Sequence, residues 1–471
     1  MNRKKLTLVG ASAAVSLLAA SLPVSAGEID EMRSQLQDLK DKMSQLDKMR
    51  DSKRRIAPAA TVESGAKARS WKLPGTNTSM QIGGYAKLDL IYDINANKGD
   101  DLGRIQTTAP EGSAAGNRQG NFRLHARQSR IFIRTWSPTD WGELATHIEG
   151  DFEGSGGNQL ISNSNSFRLR HAYGRLGPVL AGQTWTTFAA LHALPETLDF
   201  GGPAGQIFVR QGQIRYTHSF GGGTLLMLSV ENPEVLPIGG GPGSTSVVGT
   251  LAVTTIVVPG GAVPVAGPDG LPDFVVRLQH RWSSGMVSLA GLFRQLQVNN
   301  GMATHDTTFG WGVRFGFSHR FNDRKTTVGF QAFYGRGIAR YTLAGPDAVL
   351  NGPAGPAAQL DAVEQAGGMV WIQHHWTETI RSNVAYGRNW VNVVDSMTAG
   401  VAGLPGKSGI GAIALFGGPL GQDMWTVHAN LIWSPIPQVD IGVEYSFAFA
   451  GLINAANGKT HRIQASFKYA F

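Results

Sequence analysis

The chain has no cysteine among its 471 residues. Disulfides are therefore excluded, and so is the lipid-modified cysteine of a lipoprotein; an exported protein of this kind must hold together without crosslinks. Beyond residue 26 there is no stretch of 18 or more apolar residues, so no membrane-spanning helix is expected. Neither a nucleophile-elbow spacing nor a metal-ligand spacing occurs, which argues against a barrel lipase or protease. Lone histidines such as His171 and His374 read as wall residues rather than catalysts, and no cofactor, metal or nucleic-acid partner is expected. What is abundant is glycine, 61 residues, together with 9% aromatics, a composition suited to many strands and turns rather than to packed helices.

The first residues combine Asn2-Arg3-Lys4-Lys5, an apolar run over 6–20 and the small-x-small triplet Val24-Ser25-Ala26. This predicts a signal peptide over residues 1–26, cleaved after Ala26; the run is short of the ~20 residues a membrane span needs. Removing Arg3, Lys4 and Lys5 lowers the formal charge from +8 to +5. Ile29, Met32, Leu36, Leu39, Met43 and Leu46 then recur at spacings of 3 and 4 with polar residues between. That is a heptad seam, and it predicts a short coiled coil over residues 27–50. Three heptads are marginal alone, so chains brought together by another contact are implied. Residues 51–79 read as a flexible linker with a basic start, Lys53-Arg54-Arg55, which could touch anionic peptidoglycan or lipid.

From about Met80 the apolar period becomes two. Ile82, Leu88, Leu90 and Tyr92 share one face, and Gln81, Tyr85, Lys87 and Asp89 share the other. Phe309, Trp311, Val313, Phe315 and Phe317 alternate with Gly310, Gly312, Arg314, Gly316 and Ser318. In the last segment Ile463, Ala465, Phe467, Tyr469 and Phe471 oppose Arg462, Gln464, Ser466, Lys468 and Ala470. Each segment runs about ten residues, the length of a tilted strand crossing a bilayer. Sixteen of them start near 81, 129, 143, 167, 179, 208, 222, 273, 285, 308, 325, 368, 380, 423, 438 and 461, joined by seven short turns and eight long loops in alternation. A water-soluble sandwich would cross in Greek keys instead. The phase slips near Gln128, as a bulge or an early start of the second strand would cause. The expected fold is all-β, a 16-stranded antiparallel transmembrane β-barrel over residues 80–471, with the α-helical coiled coil as its N-terminal extension. Its place is the Gram-negative outer membrane, among lipid and lipopolysaccharide, with the short turns and the coiled coil in the periplasm. Terminal Phe471 resembles the C-terminal signature that the barrel-assembly machinery reads.

A barrel of this size encloses water, so function turns on what lines its narrowest point. Residues 188–207, FAALHALPETLDFGGPAGQI, are apolar and pinned by Pro and Gly; they predict a constriction loop folded into the barrel, marked by Pro195, Glu196, Asp199 and Phe200. The lumen parity carries Arg130, Arg134, Arg168, Arg170, Arg215, Arg277, Arg281 and Arg314. Facing lipid, each would cost about 2–4 kcal/mol at the midplane. A wall of permanently charged planar forks would concentrate anions. The same arginines could also brace the wall by pairing with Asp89, Glu149, Asp151, Asp440 and Glu444. Together with Glu196 and Asp199 they would set a transverse field across the constriction.

Several motifs are similar to those of the DcaP-like trimeric porins of Gram-negative bacteria: Ser129-Arg130, Ser166-Phe167-Arg168-Leu169-Arg170-His171-Ala172-Tyr173-Gly174, Leu180-Ala181-Gly182-Gln183-Thr184-Trp185, and the run from Leu194 to Pro203. The resemblance implies a homotrimer of sixteen-stranded barrels, a periplasmic N-terminal coiled coil, and uptake of small anionic solutes such as dicarboxylates. The alternative is a general, non-selective porin that also anchors the cell wall through its coiled coil. The Gly-, Ala- and Pro-rich regions 232–272 and 338–422 match no pattern of that family.

Overall fold

A computed structural model describes residues 26–54, 62–95, 109–154, 162–163, 165–234, 237–239, 270–299, 305–321, 325–351, 359–392, 421–452 and 456–471. The expected signal peptide, but for Ala26, lies outside them, as do residues 55–61 of the expected linker and parts of the long loops. The chain divides into a unit ending at Glu63 and a unit running Ser64–Phe471.

In the first unit the helix α1 spans Ala26–Arg54. Met32, Leu36, Leu39, Met43 and Leu46 are exposed along it; the side chain of Ile29 lies outside the described residues.

The second unit is a closed antiparallel barrel of 16 strands. In chain order these are β1 (Ser79–Asn95), β2 in two parts (Gln119–His125 and Arg130–Thr139), β3 (Gly142–Asp151), β4 (Arg168–Leu176), β5 (Val179–Trp185), β6 (Arg210–Gly221), β7 (Thr224–Glu231), β8 (Asp273–Trp282), β9 (Gly285–Asn299), β10 (His305–Arg320), β11 (Thr326–Arg336), β12 (Glu364–His375), β13 (Ile380–Val391), β14 (Gly421–Ile436), β15 (Val439–Leu452) and β16 (Gly458–Ala470). Each strand pairs with its chain neighbours, and β16 closes on β1 from Tyr85↔Ala470 to Asn95↔His461. Phe471 exchanges backbone bonds with Gly84 (3.1 and 3.3 Å), so the terminal residue is part of the seam. The alternation behind this is physical: Ile82, Leu88 and Tyr92 are exposed on the outside, while Lys87, Asp89 and Asp93 are buried within.

The slip near Gln128 is a break in β2. Its two parts both pair with β1, one above Asp89 and one below Tyr85. Across the gap the Ser129 hydroxyl takes the Lys87 N–H at 3.0 Å, in place of a ladder bond. Residues before β1 join this unit, with Trp71–Lys72 pairing to Met80 and Ser79. At the long-loop end Pro237–Gly239, Ala348–Asn351 and Gln359–Ala362 form a separate three-stranded sheet.

Candidate functional site

The loop after β5, residues 186–209, turns into the barrel. Its neck is closed by the Thr186 N–H donating to the Val209 carbonyl (3.1 Å). Phe188, Ala189, Ala190, Ala193 and Ile207 are fully buried, and burying one large side chain of this kind is worth about 1.5–3 kcal/mol. The wall receives the loop at glycines. A Cβ at Gly316 would stand 2.6 Å from the Ala190 Cβ, one at Gly442 would stand 3.0 Å from Leu198, and one at Gly387 would strike the Ala204 carbonyl. A buried loop must also find partners for its peptide groups. Trp371 Nε1 donates to the Ala193 carbonyl (2.7 Å), Gln331 to the Gly205 carbonyl (3.0 Å), and Thr426 accepts the Ala204 N–H (2.9 Å). Glu444 accepts the Leu198 and Asp199 N–H groups (2.8 and 3.2 Å). The Leu198 carbonyl accepts from Lys87 of β1 (3.1 Å) and Gln464 of β16 (3.0 Å).

Pro195, Glu196, Asp199 and Phe200 lie at the middle of this segment. Arg381 of β13 grips Glu196 with two bonds (2.7 and 2.5 Å), and Gln373 adds a third (2.9 Å). Asp199 accepts the Gly201 N–H (2.8 Å) and lies 3.4 Å from Arg462. Pro195, with Tyr85, Arg130 and Lys468, lines a cavity of about 350 Å³. Phe200 reaches the opposite wall, where the guanidiniums of Arg168 and Arg170 lie over its ring at 5.5 and 5.6 Å.

That opposite wall holds a cluster of cations. Arg168 binds Asp151 through two bonds of 2.9 Å. Arg170 reaches both Asp151 (2.7 Å) and Glu149 (2.8 Å), and Arg130 stands 3.4 Å from Glu149. The pairing of β3 with β4 skips Arg170, passing from Glu149↔His171 to Gly150↔Leu169. This bulge turns Arg170 and His171 inward in succession, a re-aiming typical of such irregularities. Nearer the short turns, Arg134, Arg215 and Arg277 share a cavity of about 520 Å³ with His147, His171 and Tyr173. Among the described residues, no carboxylate lies within ion-pair distance of Arg134, Arg215, Arg277 or Arg281.

Arg314, expected to line the pore, is 1% exposed. It sits beneath the folded-in loop, donating to the Phe188 carbonyl (2.7 Å) and to Ser288 (2.5 Å). A solute cannot reach it, because the loop occupies the space that its parity assigned to water. Arg277 is shared between the two roles: it donates to the Ala189 carbonyl (2.9 Å) and to Gln279 yet lines the cavity. Arg170 is 3% exposed and consumed by its two carboxylates.

Three features escaped the sequence. Arg210 stacks on Trp185 at 4.0 Å, with its Nε and Nη2 buried and without a hydrogen-bond partner. It is the first residue of β6, where alternation is not yet established. A second segment, residues 337–347, also folds inward after β11. Its Ile338 and Tyr341 join Phe188, Ile207, Val275, Leu292 and Phe333 in an apolar core inside the barrel. Buried Arg294 clamps this segment through Asp273 (3.0 Å), Asp347 (2.8 Å) and the Gly337 carbonyl (2.7 Å). The third is His192, in the turn Leu191–Ala193. Burial, then the nearby Arg277 charge, pushes it down to about 4, so the constriction loop carries a neutral imidazole at neutral pH. The inward glycines that receive the loop are the signal the sequence offers.

Residues 67–390 match the DcaP outer membrane protein family, a span that takes in 232–272 and 338–390, where no family pattern was expected, and the chain belongs to that family of outer-membrane channels. Its fold is similar to that of the outer membrane channel DcaP of Acinetobacter baumannii, with a TM-score of 0.67 and 21% identity over 87% of this chain and 100% of that one. Weaker likenesses are to an anion-selective porin from Comamonas acidovorans (TM-score 0.49, 12% identity, 84% of this chain and 100% of that one). A trimer form of OmpT of Vibrio cholerae gives a TM-score of 0.47 and 9% identity over 84% of this chain and 99% of that one. No curated protein sequence matches.

Proposed function

We propose that the barrel is a passive diffusion channel for small hydrophilic solutes with a preference for anions, dicarboxylates among them. The observation that carries this reading is an imbalance of charge along the lumen. Arg134, Arg215, Arg277 and Arg281 have no carboxylate partner among the described residues, and Arg210 keeps two donors without a hydrogen-bond partner. The carboxylates of the folded-in loop, Glu196 and Asp199, are both answered by arginine. An unanswered guanidinium lowers the entry barrier for an anion and offers its planar fork to a carboxylate. A solute with two carboxylates would meet Arg130 in one cavity and Arg134, Arg215 and Arg277 in the next.

The short turns and α1 lie in the periplasm on this reading. The working unit is a homotrimer, supported by the exposed seam from Met32 to Leu46 and by a second surface. Over their short-turn halves β2–β5 present the exposed aliphatics Ile131, Ile133, Leu144 and Ile148 beside Ala172, Gly174 and Ala181, a flat patch that suits barrel-to-barrel packing.

Reversal potentials across planar bilayers in a salt gradient test the preference. Chloride over potassium is expected, and cation selectivity overturns it. Liposome swelling with mono-, di- and tricarboxylates against neutral sugars of equal size then ranks the solutes. Equal rates for all would make this a general channel.

A further inference from the structure

Four strands that run toward the short turns end on one pattern: His218-Ser219-Phe220 at β6, His280-Arg281-Trp282 at β8, His319-Arg320-Phe321 at β10 and His374-His375-Trp376 at β12. A period of two puts the first His and the aromatic on one face and the middle residue on the other. That face is the outside, because Ile214, Tyr216, Leu278, Phe315 and Ile372 continue it and are exposed. Each His touches its aromatic, with ring centroids 4.7, 6.1, 5.3 and 4.5 Å apart in the order given. Trp282 also stacks with His319 of β10 (6.1 Å), joining two strands into one strip. At the same level β14 and β16 carry Leu431-Ile432-Trp433 and Tyr469-Ala470-Phe471. The aromatic belt therefore forms without histidine, and the histidines mark an arc from β6 to β12.

Among the described residues, the cross-strand partners of the imidazoles are uncharged. Opposite His218 stands Leu226; opposite His280, Thr224 and Val287; opposite His319, Gly285 and Val328; opposite His374, Thr326 and Ser382. The charged or titratable neighbours in sequence, Arg281, Arg320 and His375, fall on the inner parity. Thr224 and Thr326 hold the Nδ1 atoms of His280 and His374 at 2.9 Å, which leaves Nε2 for an outside partner. Outer-surface aromatics at a barrel's rim lie at headgroup depth, where the abundant acceptor is a phosphate oxygen.

We propose that this arc binds the phosphodiester headgroups of glycerophospholipids. The aromatic ring packs on the glycerol and upper acyl chain, and the imidazole Nε2–H donates to a phosphate oxygen. Protonation makes that bond charge-assisted and stronger. The leaflet concerned is the periplasmic one if the sidedness proposed above holds; the strip itself is independent of what the pore transports.

The test uses the full chain in detergent, titrated with phosphatidylglycerol or with diacylglycerol, which lacks the phosphate, and read by native mass spectrometry at pH 5.5 and pH 8. Phosphatidylglycerol is expected to bind several-fold more tightly at the lower pH, with diacylglycerol weak and insensitive to pH. The variant H218Q/H280Q/H319Q/H374Q should lose the pH response while its single-channel conductance stays unchanged. If that variant gives no heat-modifiable barrel, H280Q and H374Q alone should each lower the response. A pH response that survives the substitutions, or equal retention of diacylglycerol, overturns the proposal. A changed conductance with unchanged lipid binding overturns it too.

Discussion

The inner wall from β8 to β15 and the inner wall from β2 to β7 are made of the same alternating strands, yet the folded-in segments cover mainly the first and meet the second at Gln211, Gln213 and Glu231. The covered wall offers inward glycines and apolar side chains (Gly316, Gly387, Gly442, Val275, Leu292 and Phe333) to two folded-in segments. The open wall offers arginine, histidine and tyrosine to a cavity. The same residue type therefore has two occupations. Under the loop, Arg314 replaces water for peptide carbonyls. On the open wall, Arg215 faces no carboxylate within ion-pair distance among the described residues. The lesson is that parity places a side chain inside a wide barrel, but a second layer decides whether inside means solvent.

The covered wall should break first at Arg294. Replacing it with Met leaves Asp273 and Asp347 buried without their cation, which costs about 3–5 kcal/mol, and should release residues 337–347. Conductance should rise and the temperature of heat-modifiable migration should fall; a variant identical to the parent in both would remove the clamp. Gly387→Val should cost about 1–3 kcal/mol by overpacking and expose residues 186–209 to protease, an outcome that uncut protein contradicts. On the open wall, Arg134→Gln with Arg215→Gln should leave stability almost unchanged and lower the anion-to-cation permeability ratio about threefold at low salt, with a smaller effect at high salt. Arg314→Gln should do the reverse, disturbing the loop more than the selectivity. If both sets gave the same reversal potential, the division between the walls would be wrong.

The smallest effect expected is that of His192. Its folded value near 4 lies below the ordinary imidazole value of 6.5, so the unfolded chain binds more protons between these limits. Stability then rises with pH across that window. Read downward, docking of the loop weakens as pH falls from about 6.5 toward 4, and the protonated ring adds a positive charge beside Arg277. Channel noise and anion preference should both increase on acidification, and H192Q should abolish that component; a variant with the parental pH profile refutes the assignment.

Much of the barrel was legible because period two is a property of the strand itself. Segments such as 309–317 and 461–471 declare their faces without reference to any neighbour, and their spacing declares the turns. The inward course of residues 186–209 was legible from composition, since Phe188, Leu194 and Phe200 gain nothing in water. Residues 337–347 were not, because the helix they contain is only Ala339–Thr342, too short to show a period, and Ile338 and Tyr341 stand among Gly and Ala. The role of each arginine was also hidden. Arg314 and Arg134 obey the same alternation, and only Gly312 and Gly316 on either side of Arg314 hint that backbone would pack there. Arg381, which fixes Glu196, is not marked in the sequence, because its partner lies 185 residues away.

The Leu198 carbonyl, held at once by Lys87 and Gln464, bears on the order of events during folding. The strands it spans are at opposite ends of the barrel sequence: Gln464 and Asp89 meet across 375 residues. Contacts so distant form late, because the closure entropy must be spent before they reward it. Until β16 arrives, the tip of the folded-in loop lacks one of its two anchors on that seam. A half-assembled barrel thus holds the loop through Trp371, Arg381, Thr426 and Glu444, and the seam anchor is added only in the step that shuts it.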